Sequence, residues 1–217
     1  MKYQAVIFDL DGVICHTDQY HYRAWKALAD ELGVYFDEQI NNRLRGVSRM
    51  ESLNIILERY TGSLTEEEKV ACAEKKNGIY RQLLQEMSPA DLSGEVKETL
   101  DELRRRGLKL AIGSSSKNAR FILGQLGLGD FFDKISDGNN ITKSKPDPEV
   151  FLKASEYLDI PAGKCLVVED AIAGVQAALA GGMDCAAIGD AAESHIATYD
   201  LSTFADLLKI VNNEEFV

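Results

Sequence analysis

Ala5-Val6-Ile7-Phe8-Asp9-Leu10-Asp11-Gly12 is a short apolar run that gives way at once to two carboxylates and a glycine. Four consecutive apolar positions containing Val, Ile and Phe fit a strand covered on both faces, since a strand with one wet face would alternate with polar residues. Asp and Gly then end it, because both favour turns over continued sheet. The segment predicts a buried strand that delivers Asp9 and Asp11 from its carboxyl end. In an extended segment residues two apart point to one side, so the two carboxylates are expected to face a shared ligand.

Leu108 to Ile112, Lys134 to Ser136, Cys165 to Val168 and Cys185 to Ile188 have the same strand character, and helical patterns separate most of them. That alternation predicts an α/β fold, a Rossmann-like parallel sheet with helices on both faces. Gly107 after Arg104-Arg105-Arg106 and the pair Gly181-Gly182 mark helix ends, while Asp147-Pro148 before Glu149 has the order of an N-cap and a first helical position. About ninety residues lie between the first and second strands, where a crossover needs only about a dozen. The excess predicts an inserted small α-helical cap domain over 17–87, with 1–16 and 88–217 forming the catalytic core domain. In the insert, Trp25, Leu28, Ala29 and Leu32 fall at i, i+3, i+4 and i+7, as do Leu53, Ile56, Leu57 and Tyr60. Thr65 to Glu68 offers a capping box for a third helix running toward Met87, and Ser88-Pro89 reads as the return linker.

The balance of 24 Lys+Arg against 35 Asp+Glu, a net charge of -11, disfavours attraction to a polyphosphate backbone, so no nucleic-acid partner is expected. No apolar run reaches the roughly 18 residues of a bilayer span, and Met1-Lys2-Tyr3 leads into a strand, not a signal sequence; a cytoplasmic monomer without a membrane partner is the expectation. Cys15, Cys72, Cys165 and Cys185 have neither metal-knuckle nor disulfide spacing and read as ordinary thiols.

Ligands of an open parallel sheet bind outside the carboxyl ends of its strands. Four exits carry chemistry: Asp9 and Asp11, Ser114-Ser115-Ser116, Lys145 before the next helix, and Glu169-Asp170. Carboxylates alone would repel one another and any anionic substrate, whereas Asp9 and Asp170 beside a hard dication form an oxygen set suited to Mg2+. Positioned cations offset the repulsion met by a carboxylate attacking a phosphate, and Lys145 is the second cation available. Each exit also has a plainer reading. The serines can cap a helix beginning near Lys117, and Glu169-Asp170 can be a solvated cap.

In order and context these residues resemble the haloacid dehalogenase superfamily of phosphotransferases: Asp9-Leu10-Asp11-Gly12 is similar to its D-x-D-G hallmark, Ser114 to its second motif, Lys145-Pro146 to its third and Glu169-Asp170 to its fourth. The resemblance implies that Asp9 becomes an aspartyl-phosphate, that Asp11 is the general acid and base, and that Asp9, the backbone carbonyl of Asp11 and Asp170 hold Mg2+, with Glu169 supporting its waters. Gly46-Val47-Ser48-Arg49 with Ser52, Tyr20 to Trp25, Lys75-Lys76-Asn77 and Ser114 to Asn118 are similar to the β-phosphoglucomutase subfamily. That likeness implies interconversion of β-D-glucose 1-phosphate and β-D-glucose 6-phosphate through β-glucose 1,6-bisphosphate. It assigns the phosphate that stays to Arg49, Ser116, Lys117 and Asn118, places Gly46, Val47, Ser52 and Lys76 toward the sugar, and puts Thr17 at a hinge. Ser115 belongs to the same phosphate-holding turn.

A bisphosphate needs two anion sites, met here by Mg2+ with Lys145 and by Arg49 with Lys117; an Arg fork suits phosphate oxygens. Arg49 as a surface charge and His21 packed beside Trp25, instead of sensing cap closure, are the competing readings. His16 departs from the family, many of whose members carry an acid before the Thr17 position. Two other functions use the same residues differently: a Mg2+-dependent phosphatase of small sugar phosphates, with water as acceptor, and a non-catalytic binding protein on the same scaffold.

Overall fold

The computed structural model describes residues 2–44 and 47–212. Gly46, a candidate sugar contact, lies outside the described residues. The chain divides into two compact units, Met1–His16 with Ser88–Val217, and Thr17–Met87.

In the first unit β1 (Ala5–Phe8), β2 (Lys109–Gly113), β3 (Lys134–Ser136), β4 (Cys165–Glu169), β5 (Asp184–Ala187) and β6 (Tyr199–Asp200) form one sheet in the order β3-β2-β1-β4-β5-β6. Every pairing is parallel. β1 is central: Ala5 pairs with Lys109 and Cys165, and Phe8 with Ile112 and Val168. All four of its side chains are fully buried, which is why the run needs no alternation.

Residues two apart share a face, and β1 feeds both layers. Ala5 and Ile7 pack with Val150, Phe151 and Ala154 of α7 (Glu149–Leu158) and with Val175, Ala177 and Ala178 of α8 (Ile172–Ala180). Phe8 points the other way, stacked on Phe204 at 5.8 Å and edge-on to Phe132 at 6.2 Å. Truncating this fully buried Phe8 to Ala would cost about 3–5 kcal/mol. α5 (Gly94–Arg105) packs against β2 and against α9 (Leu207–Val211). α6 (Ala119–Gln125) follows β2.

Several helix ends differ in detail from the sequence reading. Pro148, not Asp147, is the cap of α7, and Asp147 accepts a hydrogen bond from the Glu149 amide through its side chain. α6 starts at Ala119, two residues after Lys117. Ser88-Pro89 opens a capped 3-10 turn, Pro89–Asp91, in which Asp91 closes the box, so the return is structured. β6 was not foreseen: its two residues are half-buried and lack an apolar run.

The second unit contains α1 (Asp18–Glu31), α2 (Glu38–Asn42), α3 (Arg49–Leu57) and α4 (Glu66–Leu83). Its own core joins Trp25, Leu28, Ala29, Val34, Phe36, Ile40, Leu53, Ile56 and Ala73. Three N-caps are in place: Asp37, Ser48 and Thr65 accept from the amides of Ile40, Glu51 and Glu68. The Thr65 amide donates in return to the Glu68 carboxylate, completing the box. α4 ends at Leu83 and tightens into a 3-10 turn, Leu84–Glu86, before Met87. Among the described residues no helix is long and apolar enough to cross a membrane.

Candidate active site

β1 stops at Phe8, and the Asp9 amide continues its ladder by donating to the Val168 carbonyl at 2.9 Å. The chain then turns at 12–14. The amides of Ile14 and Cys15 return to the Leu10 carbonyl at 3.0 and 3.1 Å, and that of Gly12 goes to the Cys15 carbonyl at 2.7 Å. The turn lies beyond Asp11, which forms an isolated parallel bridge with Cys15.

The exit of β4 lies beside that of β1 in the sheet order. Lys145 bridges the two: its Nζ is 2.5 Å from Asp9 Oδ1 and 2.5 Å from Glu169 Oε1, with only 6% of the side chain exposed. The ammonium also lies 4.7 Å from the Phe151 ring centroid. Burial alone would lower the lysine's pKa, but Asp9 and Glu169 more than reverse this and hold it above its ordinary value. It therefore stays charged. The Lys145-Pro146 peptide is cis.

The acids have the opposite problem. Burial, then Glu169 and Asp170, push the Asp9 carboxyl well above the usual carboxylate range, with Lys145 pulling against them. Burial, Glu169 and Asp11 push Asp170 up to about 7, again with Lys145 opposing. Lys145 acts on three carboxylates, those of Asp9, Glu169 and Asp170, so the cluster is short of positive charge. That is a donor set fitted to a dication. Among the described residues no three His, Cys, Asp or Glu side chains form a closed metal cage. Mg2+ has little use for one, since it is commonly held by one or two carboxylates and completed by water and phosphate. Of the ligands that the resemblance implies, Asp9 and Asp170 belong to this charge-deficient cluster.

Two glycines make room for the acids, roles that no sequence pattern marks. Gly12 has φ +89, and a Cβ there would run into the Asp170 carboxylate. A Cβ on Gly174, inside α8, would run into the Glu169 carboxylate. Glu169 cannot simply swing aside, because Oε1 receives Lys145 and Oε2 accepts from the Ala171 amide at 2.8 Å.

At the β2 exit the Ser114 amide donates to the Ser136 carbonyl at 3.1 Å, and the side chain is buried. Two amides are engaged within the turn: Ser116 N donates to Ser114 Oγ and Asn118 N to Ser116 Oγ, each at 3.2 Å. The hydroxyl of Ser115 is buried without a hydrogen-bond partner. Lys117 is exposed and Asn118 buried.

In the helical unit Thr17, His21 and Lys76 come together. The Tyr80 hydroxyl donates to Thr17 Oγ1 at 3.2 Å, His21 stacks on Tyr80 at 4.1 Å, and His21 Nδ1 lies 2.9 Å from Lys76 Nζ. Lys76 is 3% exposed, with its ammonium 4.7 Å from the Trp25 ring and 4.5 Å from that of Tyr80. Burial, then Lys76 and Arg49, hold the His21 pKa well below its ordinary value, so the ring is neutral. Arg49 points at Glu74 (3.1 Å) and donates to Asn77 Oδ1 (3.0 Å). Ser52 is buried on α3, Val47 is partly buried before it, and His16 is exposed. Glu74 and Tyr80, absent from the sequence-derived site, had no signal beyond lying on α4.

A family model described as haloacid dehalogenase-like hydrolase matches residues 3–182. β-Phosphoglucomutase of Bacillus subtilis is 40% identical over 192 residues, covering 86% of this chain and 83% of that protein. A phosphorylated carbohydrates phosphatase of Thermotoga maritima is 32% identical, covering 83% of this chain and 82% of that protein. The crystal structure of β-phosphoglucomutase from Clostridium difficile superposes with a TM-score of 0.90 at 36% identity, covering 97% of this chain and 96% of the other. With more than half its length matched by the family model and its acids and lysine converging at the strand exits, the chain belongs to the haloacid dehalogenase-like hydrolase family.

Proposed function

We propose that the chain is a cytoplasmic, monomeric β-phosphoglucomutase that interconverts β-D-glucose 1-phosphate and β-D-glucose 6-phosphate through phospho-Asp9 and β-glucose 1,6-bisphosphate. The observation that carries the reading is Lys145 shared between Asp9 and Glu169 at the β1 and β4 exits. Lys145 opposes the burial and the neighbouring acids that raise the Asp9 pKa, and so favours the ionised nucleophile. The likeness to β-phosphoglucomutases supports the substrate.

In the forward half-reaction the C6 hydroxyl oxygen of β-glucose 1-phosphate attacks the phosphorus of phospho-Asp9. The P–O bond to Asp9 breaks, the bond to C6 oxygen forms, and Asp11 takes the hydroxyl proton. The bisphosphate then reverses. An Asp9 oxygen attacks the phosphorus at C1, the P–O1 bond breaks, and Asp11 returns the proton to O1, leaving glucose 6-phosphate and phospho-Asp9. Proton transfer of this kind contributes about 10²–10⁴-fold. Asp9, the Asp11 carbonyl and Asp170 would hold Mg2+, with Glu169 supporting its waters, and the ion would supply the positive charge that lets an anion attack an anion.

Ser114 and Ser115 take oxygens of the transferring group, while Arg49, Ser116, Lys117 and Asn118 hold the phosphate that stays. Val47, Ser52 and Lys76 face the sugar, where the resemblance also puts Gly46, and Thr17 and His21 serve the hinge. The phosphatase relative supports a second reading, in which water attacks phospho-Asp9.

The test is to incubate the protein with β-glucose 1-phosphate, Mg2+ and a trace of β-glucose 1,6-bisphosphate while following glucose 6-phosphate and free phosphate. Glucose 6-phosphate with little phosphate is the expected result. Phosphate as the main product supports the phosphatase, and no turnover on this or other phosphate esters supports a binding protein.

A further inference from the structure

Lys145 lies in a loop that one side chain closes. Glu149 Oε2 accepts from the Thr142 amide at 2.9 Å, the Thr142 hydroxyl at 2.9 Å and the Lys143 amide at 2.8 Å. Its other oxygen pairs with Lys153 at 3.0 Å, and Lys153 also donates to the Asn140 carbonyl. On the far limb the Asp147 amide donates to the Ser144 carbonyl at 3.1 Å, and Asp147 Oδ1 accepts from the Glu149 amide at 3.0 Å.

Both limbs around Lys145 are thus tied to the first turn of α7. That helix is itself immobilised, since Val150, Phe151 and Ala154 are fully buried. An acid placed in a first helical turn only to complement the helix dipole would not need three donors from residues 142 and 143. A carboxylate gripping backbone amides makes strong, directional bonds. The partners of Glu149 all belong to the loop or to α7, so its influence on chemistry passes through the residue the loop carries.

We infer that Glu149 is a positioning residue, which fixes the loop so that Lys145 Nζ reaches Asp9 and Glu169 and thereby sets the rate at which Asp9 is phosphorylated. The inference rests on the phospho-Asp9 step proposed above and is the same whether the final acceptor is a sugar or water.

The experiment measures single-turnover phosphorylation of Asp9 by acetyl phosphate with saturating Mg2+, using intact mass, in the unsubstituted chain, Glu149→Ala, Lys145→Met and the double variant. A shift of about 1 Å in a catalytic group costs on the order of 10- to 100-fold, and that loss is expected for Glu149→Ala. In the Lys145→Met background the same substitution should cost less than about twofold, because coupled residues fail to add. Glu149→Gln keeps an oxygen acceptor for the amides and should recover part of the rate. It also carries the cycle if circular dichroism shows Glu149→Ala unfolded. Equal losses in both backgrounds, or none in either, overturn the inference. Absence of phospho-Asp9 in the unsubstituted chain overturns the proposed function with it, whereas normal phosphorylation indifferent to Glu149 overturns this inference alone.

Discussion

Gly174 shows how one hydrogen atom protects the site. In a helix interior Gly→Ala gains about 0.8–1.0 kcal/mol from propensity, while overpacking a rigid neighbour costs about 1–3 kcal/mol. The neighbour here is the Glu169 carboxylate, pinned by Lys145 and the Ala171 amide, so the second effect should win. Gly174→Ala is expected to lose on the order of 1 kcal/mol in urea denaturation and to turn over more slowly; a variant more stable than the parent with full activity would contradict the pinned geometry. Asp11 supports a sharper expectation. Asp11→Asn should leave folding intact and cut turnover by about 10²–10⁴-fold, read in steady-state kinetics under saturating bisphosphate. Unchanged turnover would remove Asp11 from the proton transfer.

At the scale of elements, the loop before α7 makes a pH prediction. Hydrogen bonds from the Lys143 amide, Lys153 and Thr142 push the Glu149 carboxyl down to about 2, against 4.5 for the free group. Between those values the unfolded chain binds the proton and the folded chain does not, so stability rises with pH there. The contribution is complete above 4.5, and it disappears as pH falls through about 2. The gap in thermal midpoint between the parent and Glu149→Gln should therefore be present at pH 7 and close toward pH 2 in circular dichroism melts; a constant gap would show that the charge is not what ties the loop. This clamp was invisible in the sequence, where Glu149 read only as a helix-start residue. Strands and helices were legible because an apolar run ended by Asp, Ser or Gly constrains burial directly. Hydrogen bonds between residues 142 and 149 depend on how a loop folds back, and no periodicity encodes that. β6 escaped for a related reason, since two half-buried residues join the sheet through pairing with Ala186 and Ala187 and not through their own hydrophobicity.

Across the whole molecule, the sheet order explains why distant residues could be grouped in advance. β1, β2 and β4 are adjacent and parallel, so their carboxyl ends, with Asp9, Ser114 and Glu169, necessarily share one edge. The helical unit offered no such rule, and partners such as Glu74 for Arg49 follow from how α3 and α4 meet. The two units carry separate cationic groups, Lys145 in one and Arg49 with Lys76 in the other. A hydrolase of a small monophosphate needs only the first, whereas a mutase must retain a sugar whose second phosphate is not reacting. Arg49 is the informative residue to remove, because an exposed ion pair such as that with Glu74 is worth only about 0–1 kcal/mol to folding. Hydrogen bonds to a charged group contribute about 1.5–3 kcal/mol, roughly 10- to 150-fold in binding. Arg49→Ala should therefore melt close to the parent and still phosphorylate Asp9 from acetyl phosphate, yet raise the KM for β-glucose 1-phosphate by about that factor. A larger share of turnover should end as free phosphate, as the sugar leaves before it reorients and water takes its place. Unchanged KM and unchanged product ratio would return Arg49 to the role of a surface charge and leave the phosphatase as the better account of the molecule.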